Sequence, residues 1–206
     1  MKHSIFICFF LLISLFGISQ NEGQWFPVNV RFYSSAWTPD GIYTIYSNDT
    51  IMYVSGTFSW VVTKNDTIEV NNFAVWDKTW TTYSSGPSTP NLAYDMIIYN
   101  NQLYLGGSLY TGSKDVGVMI WNGSWQKAGL NTPNDQVKTL EEYKQGLYAG
   151  GNFIETADFG RNLARWNGSQ WENVGQLRHG AAIDDVKSLV AGKINGKYKL
   201  FAGGNF

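Results

Sequence analysis

The sequence has very little cysteine and histidine. Cys8 is its only cysteine, and His179 is the only histidine besides His3. A disulfide within the chain is excluded, because a lone cysteine has no partner. A single histidine beyond the first few residues also argues against a zinc site and against a Ser-His-Asp triad. We therefore expect no metal, no cofactor and no catalytic residue in this chain.

Long apolar runs are missing as well. The longest covers residues 5–16, whereas a helix that spans a bilayer needs about 20 apolar residues. This run follows the basic Lys2 and precedes the small residues Gly17 and Ser19, which is the pattern of a secretory signal peptide. We predict a signal peptide at residues 1–19 with cleavage before Gln20, no later membrane insertion, and a secreted or cell-surface location.

Charged residues are scarce, and neither sign prevails. They make up 15% of the chain, with 15 Lys and Arg against 16 Asp and Glu and no basic block. Nucleic acid is a poor partner for such a chain, because binding to phosphate backbones needs clustered Lys and Arg. Aromatic residues and glycine are abundant instead, with 9 Trp, 12 Tyr, 12 Phe and 22 Gly. This composition favours β-strands joined by glycine-rich turns.

A repeat of about 45 residues organises the rest of the chain. The segments IMYVSGTF, QLYLGGSL, GLYAGGNF and KLFAGGNF begin at residues 51, 102, 146 and 199. Pairs of tryptophans stand between them. The first members of these pairs are 45 residues apart, and the second members are 45 and 46 apart. Two interleaved markers with one period predict tandem structural units over residues 20–206.

Each repeat divides into four short segments that indicate antiparallel strands. In one repeat these are residues 137–143, 147–150, 163–166 and 171–174, each bounded by Gly, Asn or Asp. Residues 136–145 have helix propensity, but their counterparts in other repeats are β-rich, so we predict a strand there too. Four such strands are the unit of a propeller blade. The expected fold is all-β, a β-propeller of four-stranded antiparallel blades.

The repeat resembles a kelch repeat of the galactose oxidase central-domain type. The resemblance is carried by LYLGG, followed by Trp121 and Trp125 at 14 and 18 residues after Gly107. The WNG at residues 121–123 and the single glycine at residues 54–56 depart from it. Similar repeats occur in exported bacterial surface proteins. The resemblance implies a propeller used mostly as a binding platform. The copper site of galactose oxidase needs two histidines and a cysteine-linked tyrosine, whereas residues 20–206 contain only His179 and no cysteine.

The repeats add up to about 3.5 to 4 blades, counting Trp25 as a lone marker, three full repeats and a final half repeat that ends in GGNF. Propellers commonly have four to eight blades. We therefore expect a partial, truncated propeller, with a compact four-bladed ring as the alternative.

Several motifs have a structural explanation. The glycine pairs are expected to permit positive φ and close approach of a neighbouring blade. The Asn-Gly motifs at Asn122 and Asn167 favour hairpin turns over glycan attachment, because both residues tolerate positive φ. Glu141 and Glu142 are adjacent on a predicted strand, so they point to opposite faces and cannot act on one bond. The tryptophans that recur in register are expected in the core: Trp76, Trp80, Trp121, Trp125, Trp166 and Trp171.

The candidate site lies on loops at one end of the blades. The distance from the second glycine to the next tryptophan varies there, at 20, 14 and 15 residues, and variable loops on a rigid scaffold commonly recognise ligands. We predict a non-catalytic scaffold that binds a protein or a glycan. The alternative is a fragment of a carbohydrate-active enzyme whose catalytic residues lie elsewhere. The candidate ligand-binding residues, all off the repeat register, are Trp37, Trp60, Tyr110, Phe159, Arg161, Arg178 and His179.

Overall fold

A computed structural model describes residues 18–21, 24–27, 30–34, 41–48, 50–83, 89–112, 114–153, 162–175 and 185–205. Within these ranges the chain forms strands, turns and bends, and no helix. A helix that could cross a membrane is accordingly not found in the described part of the chain. The all-β prediction is confirmed, including the strand at residues 136–143, where helix propensity competed.

In chain order the strands are β1 (Ile18–Asn21), β2 (Gln24–Pro27), β3 (Val30–Tyr33), β4 (Gly41–Ser47), β5 (Met52–Thr57), β6 (Trp60–Thr63), β7 (Thr67–Glu69), β8 (Phe73–Asp77), β9 (Thr79–Thr81), β10 (Thr89–Tyr99), β11 (Gln102–Tyr110), β12 (Asp115–Trp121), β13 (Trp125–Lys127), β14 (Gln136–Tyr143), β15 (Gly146–Asn152), β16 (Leu163–Trp166), β17 (Trp171–Asn173), β18 (Asp185–Ile194) and β19 (Lys197–Asn205).

Three four-stranded antiparallel sheets follow the repeats, and we call them blades. The first blade has the order β4-β5-β8-β9, the second β10-β11-β12-β13 and the third β14-β15-β16-β17. A two-stranded sheet, β18-β19, takes the place of a fourth blade, and we call it the last hairpin. Strands one to four of each blade are consecutive apart from an insertion in the first. The first strands β4, β10, β14 and β18 touch in succession.

The insertion in the first blade is a feature that the repeat did not predict. Strands β6 and β7 follow β5 in the chain. Strand β6 pairs with β3 on one side and with β7 on the other, which gives a three-stranded sheet of order β3-β6-β7 that we call the inserted sheet. Phe32 and Val61 of this sheet pack with Val54 and Ala74 of the first blade. The inserted sheet therefore covers one face of the first blade.

The core lies between successive blades. Tyr53 and Phe73 of the first blade pack with Leu103 and Leu105 of the second. The opposite face of the second blade packs on the third, because successive residues along a strand point to opposite sides. Each blade therefore has two apolar faces, which explains why apolar residues occupy consecutive strand positions here rather than alternate ones.

The fourth strands carry a repeated contact to the preceding blade. The indole Nε1 of Trp125 donates a hydrogen bond to the backbone oxygen of Tyr83 at 2.6 Å. Trp171 donates in the same way to Ala128 at 2.9 Å. Trp125, Trp166 and Trp171 are buried, and Trp80 and Trp121 are partly buried. Core placement is wrong for Trp76, which is 38% exposed.

The glycine pairs are needed because a side chain would not fit at most of these positions, and not because the backbone has a positive φ there. A Cβ on Gly150 would lie 2.5 Å from Cγ1 of Val186 in the last hairpin, so close approach of the next unit is confirmed. The second glycine fits against its own blade, because a Cβ on Gly151 would overlap the backbone oxygen of Gln136. Neither glycine has a positive φ. The expectation of positive φ at these pairs is therefore wrong.

The Asn-Gly motifs do form turns, at residues 122–124 and 167–170. Only their glycines take positive φ, +94° at Gly123 and +106° at Gly168. Asn167 contributes differently, since its Oδ1 accepts hydrogen bonds from the backbone nitrogens of Ser169 and Gln170 at 3.0 and 3.1 Å. The asparagine therefore caps the turn with its side chain instead of adopting a left-handed backbone.

Candidate functional site

The connections between the second and third strands leave from one end of the blades, and the two that the structure describes differ from each other. In an antiparallel blade the second strand ends beside the start of the first, so β5, β11 and β15 end where β4, β10 and β14 begin. We call this the loop end. The connection leaving it is the inserted pair β6-β7 in the first blade and residues 111–114 in the second. The Asn-Gly turns lie at the opposite end.

Two of the predicted site residues lie at the loop end. Trp60 begins β6 and is partly buried, paired with Tyr33. Tyr110 ends β11, is 38% exposed, and donates a hydrogen bond from its hydroxyl to the backbone oxygen of Gly112 at 2.8 Å. They belong to connections in neighbouring blades. The other predicted residues, Trp37, Phe159, Arg161, Arg178 and His179, lie outside the described residues.

Each first strand carries a β-bulge near its start. In the first three blades and the last hairpin, the residue paired with the second glycine and the next paired residue are separated by one unpaired residue. A bulge re-aims the side chain of its extra residue. The extra residues are Tyr43, Tyr94, Lys138 and Lys187, and we call them the bulge row.

Contacts link the bulge row from blade to blade. The rings of Tyr43 and Tyr94 lie 5.8 Å apart at 67°, an edge-to-face arrangement. Burial raises the pKa of Tyr94, Tyr43 raises it further, and the nearby ammonium of Lys138 opposes the rise. Lys138 Nζ in turn lies 2.6 Å from Oδ2 of Asp185 in the last hairpin. Tyr43 and Lys187 are exposed.

Asp185 is the first residue of β18 and is itself buried. Its Oδ2 holds Lys138, and its Oδ1 is a buried atom without a hydrogen-bond partner among the described residues. Its neighbour in the sequence, Asp184, lies outside the described residues. Glu141 and Glu142 pair with successive residues of β15, so they point to opposite sides as predicted.

In the second and third blades, the residue after the bulge bonds to the first strand of the next unit. Asp95 accepts a hydrogen bond on Oδ2 from the backbone nitrogen of Leu140 in the third blade at 2.7 Å. Thr139 holds the same position in the third blade, and its Oγ1 accepts from the nitrogen of Leu189 at 3.1 Å. Hydrogen bonds to side-chain oxygens therefore link the first strands β10, β14 and β18, which carry three residues of the bulge row.

Burial of Asp95 raises its pKa from 3.8 to about 6. Hydrogen bonds from the backbone of Leu140 and Met96 and from the Thr139 side chain act in the opposite direction, and nearby Glu141 adds to the rise. Since the folded state holds the proton more tightly, the stability that Asp95 contributes is complete below about pH 4 and is lost as the pH rises through about 6.

Asp95→Thr is expected to reduce the dependence of stability on pH between 4 and 7, because threonine already performs the same contact at Thr139. At pH 7 the free energy of unfolding should change by no more than about 1 kcal/mol. Urea denaturation at several pH values measures both quantities. The exposed Glu142→Gln is the control and should keep the wild-type profile. An unchanged profile in Asp95→Thr would contradict the assignment.

The residues of the bulge row were not among the predicted site residues, although their position in the repeat is a signal. Tyr43, Tyr94 and Lys138 each stand thirteen residues before the second glycine of their repeat. Their identities vary between tyrosine and lysine, so they do not look like a motif. Within the described ranges, no three His, Cys, Asp or Glu side chains come together as metal ligands would.

No protein-family model matches the chain, and neither does any curated protein or solved structure. The kelch-like resemblance therefore rests on the residues of the repeat themselves.

Proposed function

We propose that the chain is a kelch-like β-propeller, secreted or held at the cell surface, that binds a protein or glycan ligand without catalysing a reaction. Its blades surround a common axis with the first strands innermost. Support for this arrangement comes from the first strands, which touch in succession, and from the apolar core between successive blades.

The observation that carries the proposal is the contrast between constant blades and variable connections. Three features recur in the second and third blades: the bulge in the first strand, the close fit of the second glycine against that strand, and the hydrogen bond from a tryptophan to the preceding blade. The second-to-third connections of the first and second blades, which the structure describes, differ at the loop end: the first contains strands β6 and β7, and the second is the short segment 111–114. A rigid framework with divergent loops is the usual organisation of a recognition surface.

Alanine at Tyr110 or Trp60 is expected to weaken ligand binding at least fivefold, because each removes aromatic contact area of about 1 kcal/mol or more from the loop end. The probes are an array of defined oligosaccharides and an array of peptides, tested with purified protein. The melting temperature should stay near that of the wild type. Tyr198→Ala is the matched control, since Tyr198 is a 62% exposed tyrosine beside the turn of the last hairpin.

Other outcomes would contradict the proposal. Binding that is lost only when the turns at Asn122 and Asn167 are altered would place the working surface at the opposite end. Cleavage of any arrayed oligosaccharide by the purified protein would show that the chain is catalytic. Absence of binding to both arrays by folded protein would remove the support for a binding function.

A further inference from the structure

In the proposed arrangement, with the first strands innermost, the bulge row lies near the centre of the loop end. Tyr43, Lys138 and Lys187 are each the third residue of their first strand, and the first strands are the elements that touch each other from blade to blade. The variable connections leave from the same end. A ligand held by these connections would therefore lie over the bulge row.

The presence of a bulge has a structural explanation, but the side chains on it do not. The bulge recurs because the second glycine fits against the first strand. Packing does not require particular side chains at the extra position, since Tyr43 is 46% exposed and Lys187 is exposed. The chain nevertheless places two aromatic rings and two ammonium groups there.

We propose that the bulge row binds an acidic saccharide, with Tyr43 and Tyr94 against the sugar ring and Lys187 on its carboxylate or sulfate. This inference rests on the proposed binding function and narrows its ligand class. Sugar rings present an apolar C–H face that packs on an aromatic ring, and an acidic group pairs with an ammonium. Tyr94 lies near the ammonium group of Lys138, and Lys187 follows Lys138 in the row on the next first strand.

Charge decides between acidic and neutral ligands. The ammonium of Lys138 is already held by Asp185 at 2.6 Å, so Asp185 acts as a positioning residue for it. Lys187 is exposed at the same position in the next strand and adds a further positive charge. A bare anion would satisfy the lysines but would make no use of the tyrosine rings, and a neutral sugar would leave Lys187 without an ionic partner.

The test uses purified protein with oligogalacturonate, a chondroitin sulfate oligosaccharide and neutral xylohexaose, followed by calorimetric titration. We expect an acidic oligosaccharide to bind, and its affinity to fall as salt is added. Tyr43→Ala and Lys187→Ala should each weaken binding by about fivefold or more at an unchanged melting temperature. Matched controls on the last hairpin are the exposed Tyr198→Ala and Lys193→Ala, which should bind like the wild type.

A second measurement does not depend on variants. Nitration of tyrosine and acetylation of lysine, read by mass spectrometry, should be suppressed at Tyr43 and Lys187 when the oligosaccharide is bound. Tyr198 and Lys193 should react equally with and without it.

The outcomes separate this inference from the proposed function. If only neutral oligosaccharides or only peptides bind, the acidic saccharide is wrong and the binding scaffold stands. If an acidic oligosaccharide binds but Tyr110→Ala abolishes binding while Tyr43 and Lys187 stay reactive, the bulge row is not the site. If inorganic sulfate competes fully and Tyr43→Ala has no effect on binding, the bulge row is only an anion site. The proposal that it binds a saccharide is then overturned.

Discussion

Trp171→Ala is expected to lower the free energy of unfolding by about 3 to 5 kcal/mol, the usual cost of removing a buried tryptophan. Trp171 is fully buried between the second and third blades. Its Nε1 donates to the backbone oxygen of Ala128, and its own backbone pairs with the side-chain amide of Asn131. Removal therefore opens a cavity and leaves a buried carbonyl oxygen without its donor.

Two further variants separate packing from hydrogen bonding. Trp171→Phe keeps most of the apolar contact but loses the Nε1 donor, so it should cost about 1 to 2 kcal/mol more than a conservative core substitution. Trp76→Ala is the control, because Trp76 also belongs to a tryptophan pair of the repeat, as a first rather than a second member, but is 38% exposed. It should cost less than about 1 kcal/mol. Urea denaturation followed by circular dichroism measures all three. Equal losses at Trp171 and Trp76 would refute the blade packing.

The tryptophan pairs show how far the sequence predicts the fold. Their constant spacing marks the third and fourth strands, because both strands are local and joined by a short turn. The spacing does not predict whether the first tryptophan of a pair is buried or exposed, because that depends on what covers it. Trp121 stacks on Tyr83 at 4.6 Å, and Trp166 packs where Gly129 leaves space, so residues that follow the preceding blade cover each of them. The first blade is preceded by the inserted sheet and not by another blade, so Trp76 has no such cover.

The inserted sheet could not be predicted from the repeat. Strand β6 pairs with β3, which lies about thirty residues earlier in the chain, and neither strand has a counterpart in the described parts of the other repeats. The sequence pattern placed Trp60 off the register, which was correct. What the pattern could not supply was its partner, because long-range pairing depends on the geometry of the whole first blade rather than on local periodicity.

The bulge row escaped prediction for a related reason. A bulge is a property of two paired strands, and a single strand such as GIYTIYS gives no sign of it. The cause is the second glycine on the partner strand, whose lack of a side chain lets the first strand approach. The glycine pairs were expected to permit positive φ and close approach of a neighbouring blade, not close approach of the first strand in the same blade. The residue that the second glycine re-aims was therefore not recognised.

Gly151→Ala is accordingly expected to be severely destabilising, by about 3 kcal/mol or more, because the added methyl group would overlap the backbone oxygen of Gln136. Backbone cannot yield as a flexible side chain can. For a chain of this size the loss corresponds to a fall in melting temperature of roughly 6 to 12 °C. Thermal denaturation followed by circular dichroism is the measurement, and poor recovery of folded protein would be the extreme form of the same result.

The control is Gly203→Ala in the last hairpin. Gly203 occupies the first-glycine position, like Gly150, but no described atom lies within 4 Å of a Cβ added there. Its substitution should change stability by no more than about 0.5 kcal/mol and can be stabilising, since glycine is unfavourable inside a strand. Gly150→Ala should fall between the two, because its methyl group meets the side chain of Val186, which can shift. If all three variants unfold alike, the glycines act through strand propensity alone, and the close fit that creates the bulge would be refuted.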